Sequence, residues 1–182
     1  MAPHARLVGP IPDGADPDEY DRVRRRVLWK LTTGLYLLAS RGREQRNLMT
    51  CSLVTQLATD PKLVGVAVES DALSLRLVRE GRSFLLALLD REDRAVVRSF
   101  AKPALDDPEA GTLNGVACRP SPVTGCPLPL RAAAYLDCRL EREVDVGSHV
   151  LCVGEVVDAG FGAAGPDVAL LRSEDTRMSY GG

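Results

Sequence analysis

Apolar and polar positions along this chain change period several times, and each change marks an element. Between Asp16 and Leu31 the apolar residues Tyr20, Val23, Val27 and Leu31 recur at helical spacing, which lays one apolar face along a helix. Asp16 can cap its first turn, Pro17 fits the first helical position, and Glu19 completes a capping box with Asp16. The pattern then shortens to runs of strand length, near residues 33–40, 48–56 and 63–69. Asp71 is placed to cap a short helix running to about Glu80, with Gly81 as its stop. Ser83 to Leu89 reads as a buried strand. Arg91 to Phe100 reads as a second short helix, with Val96, Val97 and Phe100 on one side. Residues 102–128 hold several Pro and Gly and read as a long surface loop, a length that is usually functional or mobile.

Two longer strands follow. In the first, Ala132, Ala134, Leu136, Cys138 and Leu140 alternate with Arg131, Tyr135, Asp137, Arg139 and Glu141, which predicts one buried and one wet face. The second, His149 to Val157, is apolar on both faces and so needs a covering element. Val168 to Arg172 adds a last short strand. The expected class is mainly β with short helices. Several antiparallel strands with few helices favour a closed barrel, since closure removes exposed edges.

Composition narrows the picture. A chain of 182 residues fits one domain with a sizeable core. Its net charge of −2 gives no basic footprint for nucleic acid. No apolar run reaches the roughly 18–20 residues of a membrane span. Residues 1–15 lack an apolar signal-peptide centre and are rich in Pro and Gly, so they read as a disordered leader. The domain is expected over 16–175, with 176–182 as a tail and a cytoplasmic location. The five cysteines are 51, 118, 126, 138 and 152, with no Cys-x-x-Cys, and the two histidines lie far apart at 4 and 149. A zinc site is therefore not expected. Cys138 and Cys152 read as small buried residues on strands. Cys118 and Cys126 bracket a turn-rich loop, either as plain thiols or as a redox or metal pair. Arg22, Arg24, Arg25 and Arg26 read as a solvated basic face or as phosphate contacts.

The most distinctive chemistry lies at Arg46-Asn47-Leu48-Met49-Thr50-Cys51-Ser52, a run rich in amide and hydroxyl groups pinned between apolar strands. It supplies backbone N–H groups and short donors at one place, which suits a flat, polar, phosphate-bearing ligand. Asn47 and Thr50 equally fit a hairpin turn that satisfies its own backbone. Neither a Gly-x-Gly-x-x-Gly nor a Gly-x-x-x-x-Gly-Lys-Ser/Thr occurs.

These residues carry a family resemblance. Asn47-x-Met49-Thr50-x-Ser52, then Asp60-Pro61 before a Val-rich strand, then Gly81-x-x-Phe84, and finally Gly147-x-His149 leading to Gly154-Glu155-Val156 occur in a characteristic order over about residues 27–158. In this the chain resembles the flavin reductase-like family, whose fold is an FMN-binding split β-barrel of antiparallel, Greek-key type. The resemblance implies a homodimer that binds FMN or FAD and reduces flavin with NADH or NADPH, with a flavin-dependent monooxygenase as a possible recipient.

Carried over residue by residue, Asn47, Met49, Thr50, Cys51 and Ser52 would lie along the flavin ring and ribityl chain. Cys51 reads either as a reactive thiol near the ring or as a packed strand residue. His149 reads either as a proton donor or nicotinamide contact, or as a structural histidine bonded to a carbonyl. Relatives carry Arg or Asn and then Ser/Thr-His near the phosphate, where this chain has Glu69-Ser70-Asp71-Ala72-Leu73-Ser74. Two acids there would repel a phosphate. Ser70 and Ser74 remain as donors, and Arg46 or Arg79 as sources of positive charge. The chemistry implied belongs to the flavin, with the protein supplying an open face and donors to the ring. The alternatives are another FMN-dependent oxidoreductase on the same barrel and a non-catalytic flavin-binding module.

Overall fold

The computed structural model describes residues 10–176, so most of the expected leader and nearly all of the expected tail lie outside the described residues. The chain opens with helix α1 (Pro17–Leu28), whose first turn is closed by the Asp16 carboxylate accepting from the Glu19 N–H at 2.8 Å. No residue of α1 is buried. Its apolar face points outward, with Val27 64% and Leu31 68% exposed. The basic cluster beside that face is partly neutralised, since Arg22 pairs with Glu19 and Arg24 and Arg25 share Asp21.

Strands β1 (Tyr36–Arg41), β2 (Arg46–Cys51), β3 (Val54–Thr59) and β4 (Lys62–Glu69) follow, then helix α2 (Leu73–Gly81) and β5 (Ser83–Leu88). Four short strands come next: β6 (Asp106–Asp107), β7 (Thr112–Leu113), β8 (Val116–Pro120) and β9 (Pro127–Pro129). The long pair β10 (Ala134–Asp145) and β11 (His149–Phe161) completes the set. Seven strands form one antiparallel sheet in the order β2-β1-β5-β10-β11-β4-β3. The fold is mainly β with two α-helices. The closed ring expected from the sequence is not made by the ladders: β2 and β3 stand at opposite edges, and Greek-key connectivity is not established by the pairing. Yet β2 and β3 are consecutive in the chain, separated only by Ser52 and Leu53. Three peptide steps span at most about 11 Å, so the sheet must curl until its two edges meet at that link.

Several expectations change here. The single strand expected over 48–56 is two strands, because the chain leaves one sheet edge at Cys51 and joins the other at Val54. Asp71 does not cap α2; the cap position is Ala72, which has no side chain able to accept. Gly81 is the last helical residue, and the left-handed turn falls on Arg82 at φ 52°. Gly81 is needed for a different reason: a Cβ there would lie 2.2 Å from the Arg41 carbonyl oxygen. The helix expected over 91–100 is a pair of 3-10 turns, Arg91–Asp93 and Val96–Phe100. The long loop of 102–128 contains a small antiparallel sheet, β6 to β9. The strand expected over 168–172 is reduced to two isolated bridges, Gly34 with Arg172 and Asp90 with Leu170.

Asp137, expected on the wet face of β10, is fully buried. β10 keeps its alternation there, in unbroken register with β5, so Asp137 and Cys138 face opposite sides; the side bearing Asp137 is covered by the turn at Val123 and Thr124. The carboxylate accepts from the Val123 and Thr124 N–H groups at 3.3 and 3.1 Å and from the Thr124 hydroxyl at 2.5 Å. It thereby holds the turn between β8 and β9.

Two apolar cores flank the middle of the sheet. Leu38, Phe84 and Leu86 face α2 and the strands β4, β10 and β11, where Val66, Val68, Cys138 and Cys152 meet them. Leu37, Ala39, Leu85 and Ala87 face the other way, onto Val97, Phe100, Leu113 and Leu128. Strands β1 and β5 are thus buried on both sides, which explains their unbroken apolar runs.

Candidate functional site

The residues of the Arg46–Ser52 run are placed by β2, and the side chains of Asn47 and Thr50 are hydrogen-bonded within the fold. The Asn47 amide donates to the Ser74 hydroxyl at 2.9 Å, and its oxygen accepts the Ala104 N–H at 2.8 Å. The Thr50 hydroxyl donates to the Val97 carbonyl at 2.6 Å. Asn47, Thr50, Cys51 and Ser52 are buried, while Met49 is half-buried and Leu53 is exposed. The strand is therefore clamped to α2 at one end and to the second 3-10 turn at the other. What it leaves for a ligand is main chain, the Met49 side chain and the second lone pairs of its hydroxyls.

The link Ser52–Leu53 carries the convergence. Leu53 accepts from the Ala67 N–H at 3.0 Å, and Ser52 accepts from Val54 at 2.9 Å. Two residues further along β4 from Ala67, Glu69 stands opposite His149 in the ladder. The Ser70 N–H donates to the Ser148 carbonyl at 3.1 Å, and its hydroxyl donates to the Gly147 carbonyl at 3.4 Å. Ser74 joins this loop back to Asn47. One end of the curled sheet thus brings together Thr50 to Leu53, the loop from Glu69 to Ser74 and the turn from Gly147 to His149. His149 is half-buried, with its Nδ1 2.9 Å from the Ser148 hydroxyl. It lies two strands from the Ser52–Leu53 link, on the order of 10 Å away.

The two arginines singled out from the sequence are both engaged. Arg46 meets the Asp106 carboxylate through Nη2 at 2.5 Å and Nε at 3.1 Å, and this bonding raises its pKa further. Arg79 pairs with Glu143 at 2.8 Å. Glu69 and Asp71 are exposed beside α2. Arg94 and Arg98, on and beside the second 3-10 turn, have no ion pair among the described residues, and they line a cavity of about 410 Å³ with Ala95, Asp175 and Thr176. Sequence reasoning passed over both. Their signal was three arginines within residues 91–98.

The cysteines are all free thiols. Burial pushes Cys51 up to about 12 and Cys118 and Cys152 up to about 11, so each stays protonated at neutral pH. Cys138 is raised by burial and by Asp137, and Cys126 by burial. A thiol held neutral is a poor nucleophile, so the packed-residue alternative describes Cys51. Cys118 sits on β8 and Cys126 is buried beside Ser83, with no disulfide between them.

A family model described as the flavin reductase like domain matches residues 28–177. The chain belongs to the flavin reductase like family. It is 30% identical over 164 residues to an NADH-dependent FAD reductase from Streptomyces globisporus, an alignment covering 87% of this chain and 82% of that protein. It is 28% identical over 157 residues to the reductase component of 4-hydroxyphenylacetate 3-monooxygenase from Thermus thermophilus, covering 86% and 95%. Among solved structures, the NADH:FAD oxidoreductase of Streptomyces globisporus C-1027 matches with a TM-score of 0.72 at 25% identity, over 91% of this chain and 90% of that one. Some relatives are longer: the chain spans 64% of the high molecular weight rubredoxin of Moorella thermoacetica, at 27% identity over 157 residues.

A flavin fits what this member of the flavin reductase like family presents. The ring edge of a flavin alternates carbonyl and N–H groups. As edge strands, β2 and β3 each turn half of their backbone N–H and C=O groups away from the ladder. The donor set at the Ser52–Leu53 link is therefore main chain from two edges, together with buried hydroxyls, which matches such a ring edge. The loop bearing Glu69 and Asp71 does not match a phosphate.

Proposed function

We propose that this chain is an NADH-dependent flavin reductase that takes FAD or FMN at the Ser52–Leu53 link. The observation that carries the reading is the family match over residues 28–177, which includes every element that converges on that link. Bound flavin supplies a ring that accepts hydride from nicotinamide. Main-chain groups of Met49, Thr50, Cys51 and Ser52 bind the ring edge, and the Ser52 hydroxyl adds a donor. Asn47 and Ser74 hold β2 in position rather than touching the ligand. Ser70 lies at the phosphate end, and His149 orients nicotinamide or holds a proton near the reacting face. Glu69 and Asp71 weaken the hold on a phosphate, which suits flavin that exchanges as a substrate.

The working form is a homodimer. Helix α1 exposes Val23, Val27, Leu28 and the adjoining Trp29 and Leu31, and edge strand β3 leaves Leu57 uncovered. A helix with no buried residue gains little from its own chain, and an unprotected edge invites pairing. The relative from Thermus thermophilus is named as a monooxygenase component. By analogy, reduced flavin leaves this protein for a flavin-dependent monooxygenase. No described helix is long and apolar enough to cross a membrane.

The test is anaerobic oxidation of NADH by the purified protein with and without FAD or FMN. The reading expects a rate that requires flavin and saturates with it. Protein that binds flavin but bleaches it with neither NADH nor NADPH would sink the reductase and leave another oxidoreductase or a binding module.

A further inference from the structure

The stretch after β5 carries more positive charge than the fold uses. Of its three arginines, Arg91 is taken by Asp175 at 3.1 Å. The neighbouring acid Asp93 is taken by Arg131 from the loop before β10. Arg94 and Arg98 are left with no ion pair or hydrogen bond among the described residues. Both are exposed, and both line the cavity of about 410 Å³. That volume lies within the range of small-ligand sites. The carboxylate in the lining, Asp175, is held below the usual carboxylate range by the Arg172 N–H and by Arg91. With Arg91 offsetting Asp175, the cavity keeps an excess of positive charge. Two guanidiniums on one lining repel each other, and an anion between them removes that repulsion.

The cavity is tied to the flavin segment. Val97 lies between Ala95 and Arg98, and its carbonyl accepts the Thr50 hydroxyl at 2.6 Å. Buried Val96, Val97 and Phe100 anchor the 3-10 turn in the core, so the two arginines project from a fixed base. The two arginines that the sequence singled out for a phosphate are engaged, Arg46 by Asp106 and Arg79 by Glu143.

We propose that the cavity lined by Arg94 and Arg98 is an anion subsite that takes the phosphate or pyrophosphate of a nucleotide bound at the Ser52–Leu53 link. The proposal rests on the flavin reductase reading for the identity of that nucleotide, which is either the flavin or the nicotinamide dinucleotide. The planar fork of arginine matches phosphate oxygens in pairs, and two such forks on one cavity suit a diphosphate.

Inorganic pyrophosphate probes the anion site without relying on flavin. Thermal unfolding of the full chain is followed with sodium pyrophosphate and with sodium chloride at matched ionic strength. The wild type should gain in midpoint with pyrophosphate alone. The Arg94→Gln/Arg98→Gln variant should lose that gain and keep the wild-type midpoint in chloride, since both side chains are exposed. Arg94→Lys/Arg98→Lys should keep part of the gain. A wild type indifferent to pyrophosphate, or a Gln variant that responds as the wild type does, overturns the proposal, whether or not the protein binds flavin. Quenching titrations with riboflavin, FMN and FAD, and KM values for NADH and NADPH, then identify the source. If the flavin phosphate is held, the Gln variant weakens FMN or FAD by roughly tenfold or more and leaves riboflavin alone. If the nicotinamide dinucleotide is held, its KM rises and flavin affinity stays. Equal weakening of riboflavin overturns a phosphate role. A wild type that binds no flavin yet answers to pyrophosphate removes the reductase reading and keeps the anion site.

Discussion

Asn47 donates to the Ser74 hydroxyl at 2.9 Å while accepting the Ala104 N–H at 2.8 Å, so one side chain of β2 fastens both α2 and the approach to the small sheet. All three residues are buried. Asn47→Ala removes both bonds and leaves an N–H and a hydroxyl dry. The expected loss is roughly 2–4 kcal/mol of stability, read from urea unfolding. A shift below about 0.5 kcal/mol would show that the network is replaced by water.

His149 separates two roles by where its loss is felt. It is half-buried at the start of β11 and touches Ser148. His149→Ala should lower turnover with NADH several-fold while flavin affinity and melting temperature hold, as expected of a group acting near the reacting face. A fall in melting temperature with unchanged turnover per folded molecule would assign it to structure.

Alkaline pH should unfold the protein through its thiols. Burial lifts Cys51 from an ordinary value of 9.0 to about 12. The unfolded chain therefore releases this proton first. The stabilisation is full below about pH 9 and is lost as pH climbs towards 12, at up to about 1.4 kcal/mol per pH unit for this one group. Cys51→Ala should flatten the dependence of the urea midpoint on pH across that window. An unchanged slope would mean that other groups set it.

The outward apolar face of α1 should vanish into an interface. Light scattering should give twice the mass of the 182-residue chain at micromolar concentration. Val27→Asp with Leu31→Asp should shift the protein toward monomer, because both side chains are more than half exposed on one chain and a charge there opposes apolar contact. A monomeric wild type would leave α1 without a covering partner.

Much of the scaffold was legible because period and burial agree. Asp16, Pro17 and Glu19 located the start of α1, and the apolar runs located β1, β4, β5, β10 and β11. The failures share a physical cause, which is tertiary contact between distant residues. Asp137 looked wet because alternation cannot register the distant turn at Val123 and Thr124 that covers the carboxylate and satisfies it. The break at Ser52–Leu53 was hidden because both halves have strand composition, and only sheet curvature divides them. In the candidate site, the motif singles out the segment that forms β2 and the Ser52–Leu53 link. The partners of Asn47 and Thr50 lie 27 to 57 residues away, beyond any local pattern. The engagement of Arg46 by Asp106 likewise could not be read from spacing, and it is what directs attention to Arg94 and Arg98.

The two-residue step from Cys51 to Val54 has a consequence for engineering. The edges it joins share no ladder, so the step tethers them without adding sheet pairing. A Gly-Gly insertion between Ser52 and Leu53 would leave every strand pair in register and add little chain entropy. It would also let the two edges drift apart. Folding and recognition would then part company at a single peptide bond: a chain that melts nearly as before, with the main chain of the proposed site no longer held to one width.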